Sequence, residues 1–278
     1  MLAQQAVPED TNEIGAMPEL LKILGVQGSL VTVDAANCQV ATAKWQMPSG
    51  NCPVATAQII LDQGGDYVFA LKGNPGPLHD QVREMFDDQN QTNTNTNTNT
   101  NTVETQEYGH GRSEWRPYTV QDDPDFLNYL NPDERGHDRG WHINSVIRVE
   151  RKRQTGDVLE HKVHYYISSL PGHDAHDSHD ADLLARCIRS HWGIDNSAHW
   201  ILDVTFREDL CRVRTGFGPE NLASLRHMAL NFLKRETSSK KSINRKRFAA
   251  ALDPDYLITI LQACMGTTPD IHTLTASA

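Results

Sequence analysis

Apolar and polar positions along the chain fall into short alternating runs and longer helical stripes. Ser29-Leu-Val-Thr-Val-Asp34 alternates in the manner of a short strand, with Asp34 at its C-terminal end. Before it, Met17-Pro-Glu-Leu-Leu-Lys-Ile-Leu24 predicts a helix closed by Gly25. After it, Asn37 to Trp45 and Ala55 to Leu61 predict two further helices, the second ending before Gly64-Gly65. Tyr67-Val-Phe-Ala-Leu71 is a nearly continuous apolar run, as a buried strand requires, and it stops at the turn signal Lys72-Gly-Asn-Pro75. Strand, helix, strand in that order predicts an α/β unit with a parallel pair.

Residues 89–102 break the pattern. This Asn-Thr repeat has no apolar residue to offset the entropy of ordering, so it is expected to be a disordered surface loop. From Val103 to Leu170 the chain turns β-rich. His142 to Arg151 and Val158 to Ser169 predict a hairpin turning near Gln154-Thr-Gly156. Helical spacing returns from Asp182 to about Leu202, with Leu184, Ile188 and Trp192 on one stripe. Asn221 to Glu236 predicts an amphipathic helix through Leu222, Leu225, Ala229, Phe232 and Leu233. Ile243 to Leu261 predicts a last helix before a frayed end.

Composition narrows the class. With 38% hydrophobic and 22% charged residues over 278 positions, the chain reads as globular, and no run suits a membrane helix. Met1 to Asn12 lacks the basic and apolar regions of a secretory signal. Five scattered cysteines, none in a C-x-x-C pair, favour a reducing cytoplasm over a disulfide framework or zinc ribbon. The formal charge of −10 fits a DNA partner poorly unless cations are gathered locally. They do gather, at Arg148–Arg153, Arg207–Arg214 and Arg226–Arg247. Runs like these are also what an ordinary solvated surface looks like.

Three places could carry chemistry. A carboxylate at the mouth of a strand, as at Asp34, lies where open α/β sheets bind ligands and could hold Mg²⁺; it could equally be a helix N-cap. In Arg189-Ser-His-Trp-Gly-Ile-Asp-Asn-Ser-Ala-His-Trp200, a helix would set His191, Asp195 and His199 on one face at four-residue spacing. No glutamate base follows the first histidine as in the zinc motif H-E-x-x-H, and a partly buried polar patch flanked by Trp192 and Trp200 is the plain alternative. His173-Asp-Ala-His-Asp-Ser-His-Asp180 could chelate a metal, but it reads more simply as a solvated loop.

Several segments together, in order, resemble the H-repeat-associated transposases, the ISAs branch of the DDE insertion-sequence enzymes. They are residues 30–39, 66–74, Gly109-His-Gly-Arg112, Tyr166-Ile-Ser-Ser-Leu170, residues 188–196 running on through 199–209, and the helix from Pro219 to Lys234. The likeness covers roughly residues 1–260. It implies an α/β, ribonuclease-H-like catalytic core, with carboxylates binding Mg²⁺ (or Mn²⁺) for in-line phosphoryl displacement on DNA. Residues 1–88 would form the N-terminal part of that core, 89–102 the loop, 103–170 a β-rich insertion, and 171–278 the helical part carrying the third acid.

In this resemblance Asp34 matches the second acid, and Asp195 stands where the family usually has glutamate. Arg189, His191 and His199 would flank the metal or the phosphate. Arg207, Arg212, Lys240, Lys241, Arg245 and Lys246 would supply a DNA-binding surface. The implied partners are element terminal repeats and target DNA, engaged by a cytoplasmic homodimer. The family's first acid belongs to an Asp-Gly-Lys strand upstream of the segment that here begins Met1-Leu-Ala-Gln-Gln, and no such motif occurs. The expectation is therefore a core incomplete at its N-terminus, with an open sheet edge and impaired or absent strand transfer. The alternative from another class is a non-catalytic DNA-binding remnant acting through the basic C-terminal face.

Overall fold

The computed structural model describes residues 13–33, 52–71, 77–91, 100–109, 111–131, 140–172 and 180–265. The predicted helix over 37–45, the turn at 72–75, most of the Asn-Thr repeat and most of the His/Asp run lie outside them. The chain forms two units, one of residues 7–191 and one of residues 1–6 with 192–278.

The first unit is built on a six-stranded sheet. Its elements are α1 (Glu13–Ile23), β1 (Leu30–Val33), α2 (Cys52–Asp62), β2 (Asp66–Leu71), α3 (Pro77–Gln91), β3 (Thr100–Gly109), β4 (Arg112–Gln121), α4 (Pro124–Leu130), β5 (Ser145–Thr155), β6 (Val158–Ser168) and α5 (Asp180–Ile194). The strands lie in the order β1-β2-β6-β5-β4-β3. As predicted, β1 and β2 are parallel, with Thr32 opposite Val68 and Val33 opposite Phe69. Every other pairing among the described strands is antiparallel. The expected hairpin is β5–β6, turned at Gly156, whose φ of 58° suits a residue without a Cβ.

Residues 103–170, expected as an insertion, continue the sheet of β1 and β2, because β6 bonds directly to β2 through Val68–Ser168 to Leu71–Tyr165. The low-complexity stretch is shorter than its composition suggests: α3 runs on to Gln91, and β3 already begins at Thr100. Those end residues are ordered by the helix ladder and by pairing with β4, which supply hydrogen bonds that apolar burial could not.

Strand alternation gives the sheet two buried faces. On one, Tyr67, Phe69, Val146 and Ile167 pack under α1 to α4, with α3 burying Leu78, Val82, Met85 and Phe86 at helical spacing. On the other, Val68, Tyr118, Val120, Ile147, Val149 and Tyr166 meet Ala181, Leu184, Ala185 and Ile188 of α5. The i, i+3, i+4, i+7 stripe of α5 thus runs from Ala181 to Ile188. The expected third member, Trp192, is 43% exposed.

The second unit continues from α5 through a π-helical segment, Asp195–His199, into α6 (Trp200–Thr205). It then holds α7 (Gly218–Arg235), α8 (Ile243–Leu252) and α9 (Pro254–Met265). The single helix predicted over 182–202 is interrupted by the π turn. The i→i+4 rule behind a shared face for His191, Asp195 and His199 does not carry through that segment. The stripe predicted on α7 is also shifted, since Leu230 and Leu233 are buried while Leu225 is 59% exposed. The helix predicted over 243–261 is two. Pro254 cannot continue α8, and Asp253 caps α9 by accepting from the Asp255 and Tyr256 N–H groups. Among the described residues no helix is long and apolar enough to cross a membrane.

Candidate functional site

Parallel pairing sends the carboxyl ends of β1 and β2 the same way, and ligands of open α/β sheets bind beyond such ends. β1 leads into Asp34, which lies outside the described residues. Two positions earlier, Thr32 sits opposite Val68 and so on the α5 side of the sheet. Its Oγ1 shares a 2.9 Å hydrogen bond with His191 Nδ1, in the last turn of α5. This bond fixes the half-buried imidazole through one nitrogen and leaves Nε2 as its remaining polar atom.

Just before it on α5, Arg189 is committed to a carboxylate. Its Nε and Nη2 donate to Glu107 Oε1 and Oε2, both at 2.7 Å, a bidentate pair between α5 and β3. The hydrogen bond from Arg189 is the main reason the Glu107 carboxyl sits at about 2, below its ordinary 4.5; partial burial opposes it and nearby Arg116 assists. The resemblance places Arg189 against phosphate. In this structure two of its donors already have an acceptor.

In the second unit Asp195 opens the π segment, and its side chain lies outside the described atoms. His199, at the end of that segment, is exposed. Arg207 and Arg212 are exposed in the connection after α6, Arg207 with φ at 55°. Lys240, Lys241 and Arg245 are exposed around the start of α8, with Lys241 standing over the Tyr256 ring at 5.8 Å. Lys246 departs from the expectation. It is 6% exposed, and its ammonium donates to Leu233 O, Glu236 O and the Glu236 carboxylate. A lysine whose three donors are spent inside the protein is not part of a phosphate-facing surface. Its neighbour Arg247 also turns inward, donating to Thr205 O between the Phe206 and Phe248 rings.

Charge is divided unevenly between the two stretches of chain. Residues 192–278 carry eleven Lys and Arg against nine Asp and Glu, whereas residues 1–191 carry fifteen against twenty-seven. Among the described residues no group of three or more His, Cys, Asp and Glu could hold a metal ion. Described Cys187, Cys211 and Cys264 are free thiols. Thr32 and Glu107 are not among the residues the sequence singles out. A threonine alternating inside an apolar strand, and a glutamate in a polar one, give no signal until register and helix placement are known.

The sequence matches the family described as "Transposase DDE domain" over residues 1–232. It is 33% identical over 264 residues to "Putative protein YbfL" of Escherichia coli (strain K12), covering 94% of this chain and 62% of that protein. The same identity and coverage hold for "H repeat-associated putative transposase YhhI" of the same strain. "Putative transposase YncI" of Escherichia coli O157:H7 is 32% identical over 265 residues, 95% of this chain and 60% of that protein. The chain thus spans about six-tenths of the length of the curated relatives it matches.

Proposed function

We propose that this chain, which belongs to the Transposase DDE domain family, supplies the second and third acidic residues, Asp34 and Asp195, of an insertion-sequence transposase. The observation that carries the reading is the Thr32–His191 hydrogen bond. It fastens β1, the strand that precedes Asp34 in the sequence, to the last turn of α5. In this reading the β1–β2 pair belongs to a ribonuclease-H-like core.

Two aspartates are hard oxygen donors, the chemistry that suits Mg²⁺ or Mn²⁺ with several retained waters. The bound metal would supply Lewis acidity and charge neutralisation for an in-line phosphoryl displacement. The chain's own residues would bind and orient the DNA. His191, held at Nδ1, would offer Nε2 to a phosphate oxygen, and His199 would stand beside the third acid. Arg207, Arg212, Lys240, Lys241 and Arg245 would neutralise backbone phosphates of the terminal repeats and target DNA. The working form in this proposal is a homodimer on DNA in the cytoplasm.

The test is metal-directed cleavage of the protein itself, which needs no turnover. Fe²⁺ loaded in place of Mg²⁺, with ascorbate and peroxide, is expected to cut the chain near residues 34 and 195. Asp34→Asn should abolish the cut near residue 34, and Asp195→Asn the cut near residue 195. Cutting confined to residues 173–180, or unchanged in both variants, overturns the assignment. A second reading, DNA binding without catalysis, draws on the positive balance of residues 192–278. Salt-dependent DNA binding with no metal-directed cut near either aspartate would select it.

A further inference from the structure

Strands β3 to β6 run on past the last apolar residues that α5 covers, and their outer half carries charge instead of core. Strand alternation and register put Arg112 and Arg116 of β4, Arg151 and Arg153 of β5, and Lys162 of β6 on the α5 side, with Arg189 of α5 beside them. Among the described residues of these strands, Glu107, Glu114 and Glu160 answer these six cations on that face. Glu114 is shared three ways, by Arg116, by Arg153 at 3.5 Å and by Arg112 at 3.6 Å. Glu160 lies 3.7 Å from Arg151. The Nε of Arg151 has no hydrogen-bond acceptor, and that of Arg153 has only the long 3.5 Å approach of Glu114 Oε1.

The opposite face of the same strands is better balanced. There Glu150 takes Arg148 at 2.7 Å and Lys152 at 3.9 Å. The excess is therefore a property of one face, within a stretch of chain whose net charge is strongly negative. Its shape is also informative. Three strands span about 10 Å at the usual spacing, and Arg151 and Arg153 are about 6.7 Å apart along theirs. Cations laid out in rows over a sheet suit an extended polyanion better than a single small anion.

We propose that this outer, α5-side face of β4, β5 and β6 is a docking surface for the phosphodiester backbone of duplex DNA, made of residues other than the cations of residues 192–278. It rests on the reading of the chain as a DNA enzyme and adds a place where the duplex lies. Phosphate oxygens would supply the acceptors that three carboxylates cannot, as backbone contacts that position the DNA without reading its sequence.

The experiment is fluorescence anisotropy of a labelled duplex of arbitrary sequence with the full chain, repeated across a salt series. The variant Arg151→Gln/Arg153→Gln/Lys162→Gln is compared with Lys240→Gln/Lys241→Gln/Arg245→Gln. Each lost phosphate contact lowers the slope of log K against log salt by about 0.9, so the sheet variant should lose roughly two to three units. Wild-type affinity and slope in the sheet variant, while the wild type binds, overturn this surface and leave the transposase reading standing. No duplex binding by the wild type even at low salt overturns both. Acetylation of lysines in the unaltered chain gives a readout free of any folding defect. Lys162 should be protected by duplex, and an unchanged rate of Lys162 modification overturns the surface.

Discussion

Glu236 and Lys246 form an arrangement in the second unit where a single atom change should be felt through three helices. Glu236 follows the last turn of α7 and is 2% exposed. Its carboxylate accepts from the Ser238 hydroxyl, the Ser239 N–H at 2.9 Å, the Tyr256 hydroxyl at 2.8 Å and the Lys246 ammonium at 2.9 Å. Burial alone would raise its pKa. The donors from Ser238, Lys246, Tyr256 and Ser239 more than reverse that and hold it at about 2, against an ordinary 4.5. A depressed folded pKa means stability that is fully present above about 4.5 and lost as pH falls towards 2. The difference corresponds to about 3 kcal/mol.

Removing one partner of a buried pair costs about 3–5 kcal/mol in general, so the two magnitudes agree. Glu236→Gln keeps the shape and removes the charge beside Lys246. Amide hydrogen exchange of α8 and α9 at neutral pH should then show protection falling by roughly two orders of magnitude, the equivalent of about 3 kcal/mol. Lys246→Met added to the same chain should restore part of the loss, since the uncompensated ammonium is gone. Wild-type protection should decline between pH 4.5 and 2 after correction for intrinsic exchange, with this component missing from the variant. A loss of protection below about threefold, or strict additivity of the two substitutions, would refute the reasoning.

Three further outcomes follow from the first unit. A Cβ on Gly65 would sit 2.6 Å from Val26 O and 3.2 Å from Ser29 O, so Gly65→Ala must move backbone; we expect a loss of at least about 2 kcal/mol in a urea titration, and an unchanged midpoint would contradict the packing. Thr32→Val should cost about 1 kcal/mol and shift the nitrogen resonances of the His191 ring, whereas a spectrum identical to wild type would mean the bond is not formed in solution. Glu107→Gln should cost only about 0.5–1 kcal/mol, because Glu107 and Arg189 are 45% and 38% exposed and water screens them. That contribution should be present above pH 4.5, fade towards pH 2 and shrink in high salt; insensitivity to salt would argue against an ion pair.

Much of the fold is legible in the sequence because the pattern and the burial obey the same period. Residues 66–71 are nearly all apolar, and β2 is an inner strand covered on both faces, so type and position agree. The β5–β6 hairpin is legible for its turn, where Gly156 allows a positive φ. Register is not legible. That β6 pairs with β2, joining the β-rich stretch to the parallel pair, depends on contacts some hundred residues apart in sequence. The π turn is not legible either, because it reflects where a helix absorbs an extra residue and not what the residues are. Of the candidate site, strand β1 and helix α5 can be found from the pattern. The Thr32–His191 bond between them cannot, since neither residue type demands a partner.

The charge runs show most clearly where sequence reading stops. Arg245 and Lys246 are adjacent basic residues in one helix, yet the first is exposed and the second is buried among carbonyls. What separates them is the helical step that turns Lys246 towards Glu236, and no count of basic residues contains that information. The formal charge of −10 misleads in the same way, as a sum over surfaces that DNA need not meet together. Screening limits a bound phosphate's view to about 8–10 Å at physiological salt. Its affinity is then set by the few cations within that distance and by the carboxylates already engaging them. On that measure Arg189, paired twice with Glu107, offers a phosphate less than Arg151 or Arg153, whose acceptors are shared or missing. Neutralising these residues one at a time should therefore weaken duplex binding more at Arg151 and Arg153 than at Arg189. Equal losses at all three would mean that total charge, and not how closely each cation is already paired, governs the interaction.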